Sequence, residues 1–249
     1  FSIPEMKLLI DAVSSSRFIT ERKSEELINK LLTLVQYDNA VKLRRHIYAS
    51  DRVKSDNECG YLIVDAINEA IDTRRKIAFH YTQLDVYKTR HLTNGGNKYT
   101  VSPYTLIWDG DYYYLRGFCD EREALRTFRV DRIEAPPAIL RDPIVPKPED
   151  YSIGNYSKAV FRMYDTDKPI SVALECDVAV MKAVVDVFGI DVNTKPINES
   201  AFQANIDVCP SPTFFSWVFC YHGLIKIQSP ESVEQEYESM LKDALKGTH

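Results

Sequence analysis

Residues 108–133 read WDGDYYYLRGFCDEREALRTFRVDRI. One tryptophan, three consecutive tyrosines, two phenylalanines and five arginines crowd this window, in a chain whose net charge is -5. The Asp109-Gly110 pair is a hairpin signal, and DYYYLRGF after it alternates as a strand does. That alternation places Tyr112, Tyr114 and Arg116 on one face and Tyr113 and Leu115 on the other. After a break at DEREA, the run LRTFRVDRI puts Arg126, Phe128, Val130 and Arg132 on one side, with Thr127, Arg129 and Asp131 opposite. Periodicity alone does not decide which face is core. Upstream, KIAFHYTQ alternates Ile77, Phe79 and Tyr81 with polar or small neighbours. NGGNKYTVSPYTLIW opens with a turn at Asn94-Gly95 and continues as a strand. Four or five short strands joined by tight turns predict a small, strongly bent sheet or barrel.

Three amphipathic stretches precede the strands. PEMKLLIDAVSSS begins with Pro4 and Glu5 in first-turn positions and spaces Met6, Leu9, Ile10 and Val13 helically. TERKSEELINKLLTLV opens with Thr20 as N-cap and carries Leu27, Leu31 and Leu34 on one face. GYLIVDAINEAIDTRR turns Leu62, Ala66 and Ala70 inward, with Ile63 and Ile67 as further candidates. Such helices pack on one another or form a dimer interface. Downstream, APPAILRDPIVPKPEDY holds five of the 12 prolines, which blocks helix and predicts a stiff extended linker over 136–152. The remainder reads as strand PISVALECD, helix VAVMKAVVDVF capped by Gly189, strands DVNTKP and AFQANIDV, helix SPTFFSWVFCYHG, strand LIKIQS and helix PESVEQEYESMLKDAL. That βαββαβ order with a final helix predicts a ferredoxin-like sandwich. The whole is α+β, with residues 1–73 helical, 74–135 the small barrel and 153–249 the C-terminal αβ domain.

The chemistry is concentrated in the barrel. Residues 74–132 hold 11 basic and 7 acidic residues, a surplus of four positive charges inside a chain of 31 basic and 36 acidic. No GxSxG, phosphate loop, HExxH or Cys/His cluster is present, so neither an enzyme nor a metal or cofactor site is expected. Five scattered cysteines outside any CxxC pair read as buried free thiols of a reducing cytoplasm. No apolar run is long enough to span a bilayer. NGGNK reads as a hairpin turn, Asp120, Glu121 and Glu123 as a solvated turn, and His80 as a surface histidine. The arginines and tyrosines allow two readings. Either the tyrosines pack the barrel while the arginines pair with Asp109, Asp111 and Asp131, or together they form a surface for a planar or phosphorylated ligand. Single-stranded nucleic acid suits the second reading, because guanidinium forks grip phosphate and phenol rings stack on bases.

The motifs also resemble a known family. Ile77, Phe79 and Tyr81, then Val101, Pro103 and Tyr104, then the triplet Tyr113-Tyr114-Leu115 and the closing RTFRVDRI of Arg126–Ile133 are similar to the WYL domain of bacterial transcriptional regulators. Tyr113 stands where that triplet has tryptophan. The segment FSIPEMKLLIDAVSSSRFITERKSEELINKLLTLV resembles the helical linker after a winged helix-turn-helix, and FFSWVFCYHGLIKIQSPESV resembles the C-terminal WCX extension. The resemblance implies an Sm-like barrel over 74–135 and an effector-sensing, dimerising region of a DNA-binding regulator. It implies operator DNA bound through a winged helix before Phe1, and a single-stranded nucleic acid or nucleotide as effector. Carried over by position, the ligand-binding candidates are Tyr81, Ser102, Tyr104, Tyr114, Arg116, Arg126, Arg129 and Arg132. Tyr113 is core or contact, and Arg74, Arg75 and Lys98 widen the positive field. The alternative is an interaction module that dimerises without sensing.

Overall fold

The computed structural model describes residues 1–45, 53–149, 151 and 169–246, with Arg45 described by its backbone alone. Its contacts divide the chain into two compact units, Phe1–Pro148 and Glu149–His249. Helices and antiparallel sheets occur in both, so the class is α+β. The end of the expected linker and the start of the expected C-terminal domain, over 152–168, lie outside the described residues.

The first unit opens with α1 (Ile3–Ser15), α2 (Glu21–Leu32), α3 (Tyr37–Arg45) and α4 (Gly60–Asp72). At the start of α1 the Ser2 hydroxyl accepts the Glu5 N–H, and the Glu5 carboxylate accepts the Ser2 N–H. Thr20 accepts the Lys23 N–H at the start of α2. Such caps stabilise a helix by ~1 kcal/mol each. Met6 and Ile10 of α1 meet Ile28 and Leu32 of α2 and Leu43 of α3 in a small core. The expected α2 stripe of Leu27, Leu31 and Leu34 is rotated by one residue. Ser24, Ile28 and Leu32 are buried, while Leu34 lies past the helix end and is exposed. The shift follows from Ser24, a polar residue that joins the buried face by donating to the Thr20 carbonyl. In α4 the buried set is Ile63, Ile67 and Ala70, and Leu62 is exposed.

Strands β1 (Arg75–Phe79), β4 (Tyr99–Asp109), β5 (Tyr112–Cys119), β6 (Ala124–Arg129) and β7 (Ala138–Pro143) form one antiparallel sheet in the order β6-β5-β4-β1-β7. A separate hairpin pairs β2 (Thr82–Leu84) with β3 (Arg90–Leu92). A single bridge, Tyr81 to Ile133, brings the chain after β6 back to the chain after β1 and curls the sheet on itself. Ile77, Val101, Leu115, Phe128 and Ile133 face Ile63, Ile67 and Ala70 of α4 across the main core. The curvature has a local cause in β4. Pro103 pairs with Gly117 but Thr105 pairs with Arg116, so Tyr104 is an extra residue, a β-bulge that bends the strand. Opposite it, a Cβ on Gly117 would lie 2.4 Å from the Ser102 carbonyl oxygen, so only glycine fits. The Asp109–Tyr112 pair closes a two-residue hairpin in which Gly110 takes φ 58°, the left-handed conformation such a turn needs.

The proline-rich stretch corrects the linker reading over 138–143. Ile139 pairs with Ile77 and Pro143 with Arg75, which makes this segment an edge strand of the first sheet. Proline excludes helix and central strand but is tolerated at an edge, so the expected extended conformation stands while the chain is paired.

In the second unit, β8 (Ile170–Asp177), α5 (Met181–Phe188), β9 (Asn193–Pro196), β10 (Ala201–Val208), α6 (Pro212–Phe219), β11 (Ile225–Ser229) and α7 (Glu231–Lys246) follow in chain order. The sheet order β11-β8-β10-β9, antiparallel throughout, is the ferredoxin-like arrangement. Val172, Leu174, Phe202, Ile206 and Ile227 bury against Val184, Phe214, Trp217 and Val233 of the helices.

Candidate functional site

The paired strands decide what alternation left open. Tyr113 and Leu115 face the core. Leu115 is fully buried, and Tyr113 meets Phe18 at 5.1 Å and Trp108 at 4.7 Å between ring centroids. Tyr112, Tyr114 and Arg116 therefore lie on the outer face of β5. On β6, Phe128 is buried in the core while Arg129 pairs directly with Tyr114, and Thr127 with Arg116. The Arg116 guanidinium is buried and donates to the Thr127 hydroxyl at 2.9 Å.

Arg129 is half-buried in a fixed position. Its Nε and Nη2 donate to the two carboxylate oxygens of Asp131 at 3.1 and 2.7 Å, and its Cζ lies 3.7 Å from the Tyr112 ring centroid. Burial works against its charge. The hydrogen bonds and charge of Asp131, helped by Tyr112 and Tyr114, outweigh that and hold its pKa above the usual arginine value. Burial also raises the pKa of the Tyr114 hydroxyl, against the pull of Arg129. The Tyr81 ring packs on Phe79, Tyr99 and Phe128, and its hydroxyl accepts the Arg129 N–H at 3.0 Å. Burial raises its pKa, opposed chiefly by the nearby Arg132. Tyr81 thus supports the site from beneath.

Past β6, Val130–Arg132 form a single 3-10 turn. The backbone oxygen of Arg132 accepts the Thr82 hydroxyl, which ties this turn to the β2–β3 hairpin. The hairpin is held by Asp85, whose carboxylate accepts the N–H groups of Tyr87 and Thr89 and meets His91 Nε2 at 2.7 Å. Thr82, Gln83, Leu84, Arg90, Arg129 and Arg132 then line a groove of about 460 Å³, with Asp131 at its wall. Three arginines from three separate segments line it. Arg90 is ion-paired to Asp56 and reaches the Thr82 hydroxyl. Arg132 is exposed and has no carboxylate partner among the described residues.

The candidates read from sequence therefore divide. Arg129 and Arg132 line the groove, with Tyr81 and Tyr114 beside Arg129. Arg116 lies under the outer face, and Arg126 is exposed on β6 outside the groove lining. Ser102 and Tyr104 sit elsewhere and serve the chain itself. The Ser102 hydroxyl accepts the Val145 N–H, and the Tyr104 hydroxyl donates to the carbonyls of Val145 and Pro146. Arg75 donates to the Arg141 carbonyl, and Lys98 lines a small cavity beside His80 and Glu134. Arg90 was not anticipated, because β2 and β3 are three residues each and too short for a period to show. Its readable signal was the Asp85 turn. Among the described residues, no cluster of three His, Cys, Asp or Glu side chains is arranged to hold a metal ion, and no helix is long and apolar enough to cross a membrane.

The family model of the WYL domain matches residues 63–137, the stretch that runs from within α4 to the start of β7. The match is to this stretch and not to the rest of the chain. Among solved structures, the proteasome accessory factor B/C (PafBC) of Arthrobacter aurescens aligns with 98% of this chain at 19% identity and a TM-score of 0.35. This chain spans 36% of that protein's length. A CRISPR Cas-related protein aligns with 98% of this chain and 72% of its own at 14% identity and a TM-score of 0.47. The comparison with curated proteins returns no match. The matched stretch contains β1 to β6 and the residues that line the arginine groove, while α1–α3 and the ferredoxin-like unit lie outside it.

Proposed function

We propose that this chain is the effector-sensing region of a bacterial, cytoplasmic WYL-type transcriptional regulator. Its effector is an anion derived from nucleic acid, received in the groove of Arg90, Arg129 and Arg132. The observation that carries the reading is that three arginines, from β3, β6 and the following turn, line one open groove. Planar guanidinium forks match phosphate oxygens in pairs, which suits nucleotides and short single strands. Tyr112 and Tyr114 lie alongside Arg129 and offer aromatic surface next to the charge. No catalytic role is assigned to any residue. An effector bound more tightly in one domain arrangement than in another would shift the regulator between them.

The test is fluorescence anisotropy with a labelled oligothymidylate over a salt series, wild type against Arg132→Ala. Loss of one phosphate contact should weaken binding about tenfold and reduce the salt slope by about one. Equal affinity and equal slope in the two proteins would overturn the assignment.

Exposed Leu8, Leu34 and Tyr37 on and between the N-terminal helices favour a second reading, dimerisation through that region. Sedimentation of Leu8→Ser with Tyr37→Ser should then show a shift toward monomer.

A further inference from the structure

Resting on the groove reading, we infer that Asp56 is a built-in competitor for the effector, and that its displacement from Arg90 carries the signal to the N-terminal helices. Arg90 stands between two cavities. One is the arginine groove. The other, of about 340 Å³, is lined by Asp56, Asn57, Glu58, Cys59, Thr82 and Arg90, with Leu92 and Glu134 completing it. The two share Thr82 and Arg90, so an anion in the groove and the carboxylate of Asp56 approach the same guanidinium. The two internal carboxylates are not equivalent. Asp131 keeps 13% of its side chain exposed and grips Arg129 with both oxygens, whereas Asp56 is 75% exposed. Solvated ion pairs contribute little, so Asp56 is the carboxylate that yields. A phosphate arriving beside it also repels it.

Asp56 belongs to a connector that is fastened on both sides. Toward the helices, the Ser55 N–H donates to the Arg17 carbonyl at 2.8 Å, and Arg17 Nε donates to the Val53 carbonyl at 3.1 Å. Lys54 Nζ donates to the carbonyls of Ser14 and Ser16 and to the Ser24 hydroxyl, which ties the end of α1 to α2. Arg22 of α2 meets Glu58 at 2.6 Å. Toward the groove, the Asn57 side-chain amide donates to the carbonyls of Asp131 and Ile133. A change at Asp56 is therefore applied midway between the groove wall and the α1–α2 junction.

The test uses the full chain with a labelled oligothymidylate, comparing wild type, Asp56→Asn and a charge-matched control, Asp65→Asn on the exposed side of α4. Asp56→Asn should bind about two- to five-fold more tightly, the range an exposed pair accounts for, and Asp65→Asn should not. Hydrogen exchange at Ser55 should quicken when wild type binds the oligonucleotide, and should already be fast in free Asp56→Asn. If wild type binds but Asp56→Asn shows neither change, the competitor role is overturned while the groove reading stands. Equal tightening in both variants reduces the effect to net charge and also overturns it. If no protein binds, groove and competitor fall together.

Discussion

The outer face of the first sheet has two regions built from similar residue types that do opposite things. At one, Ser102 and Tyr104 on β4 aim their hydroxyls at the backbone of Val145 and Pro146 and fasten the chain leaving β7. At the other, Tyr112, Tyr114, Arg129 and Arg132 stand beside a groove that the chain does not fill. The first region satisfies its polar groups internally, so its residues should govern stability. The second leaves a cation facing water, so its residues should govern binding. A family motif names positions in both regions without saying which is which; the hydrogen bonds do.

The largest effect should come from beneath both regions. Phe18 fits between Trp108, Tyr113 and Gly60, and Phe18→Ala should cost about 3–5 kcal/mol in denaturant melts by opening a cavity between α4 and the sheet. Gly117→Ala forces a methyl group against the Ser102 carbonyl and should cost about 1–3 kcal/mol or prevent folding. Tyr104→Phe removes the donor to two carbonyls and should cost about 1 kcal/mol while leaving oligonucleotide affinity unchanged. Arg132→Ala should do the reverse, with stability within about 0.5 kcal/mol of wild type and affinity lost. Should Tyr104→Phe weaken binding as much as Arg132→Ala, the division between the two regions would collapse.

A smaller effect separates them by pH. The hydroxyls of Tyr81 and Tyr114 have pKa values raised above 10.0 by burial. A raised folded pKa means that the neutral phenol is favoured in the fold. The associated stability is complete below pH 10.0 and is lost as pH rises beyond it. Absorbance at 295 nm should show Tyr81 and Tyr114 ionising only above pH 10.0. The smallest contrast is in thiol chemistry. Burial pushes Cys119 up to about 11 and Cys176 up to about 12, while Cys220 is exposed, so alkylation at neutral pH should mark Cys220 first.

Much of this architecture was legible from residue order, for identifiable reasons. The strands of the barrel region and the βαββαβ succession have clear periods and turn residues, and alternation groups Tyr114 with Arg116 and Arg129 with Thr127, while the register that sets Tyr114 opposite Arg129 is fixed only by the paired strands. Helix faces were less legible. In α4 the choice between Leu62 and Ile63 depends on a rotation that only packing fixes, and in α2 the buried Ser24 is invisible to a search for leucines. Helix α3 was missed because, of its residues with described side chains, Leu43 alone is fully buried. The thiols were overgeneralised, since Cys59 is half-buried and Cys220 exposed. The groove was half-read. Arg129 and Arg132 lie in a recognisable motif, but Arg90 joins them from a hairpin that Asp85 shapes locally and that the Thr82 bond to the Arg132 carbonyl puts in place, and this second, tertiary contact has no local pattern.

The extra residue at Tyr104 acts as a parity switch along β4. Before it, the odd-numbered Tyr99 and Val101 pack in the core; after it, the even-numbered Leu106 packs against that core and the half-exposed Trp108 meets Phe18. Were that residue deleted, the remainder of the strand would either slide along its neighbour or turn inside out, and Ile107 would take the place of Leu106 against the helix. One amino acid thus lets a single uninterrupted strand serve two differently oriented surfaces.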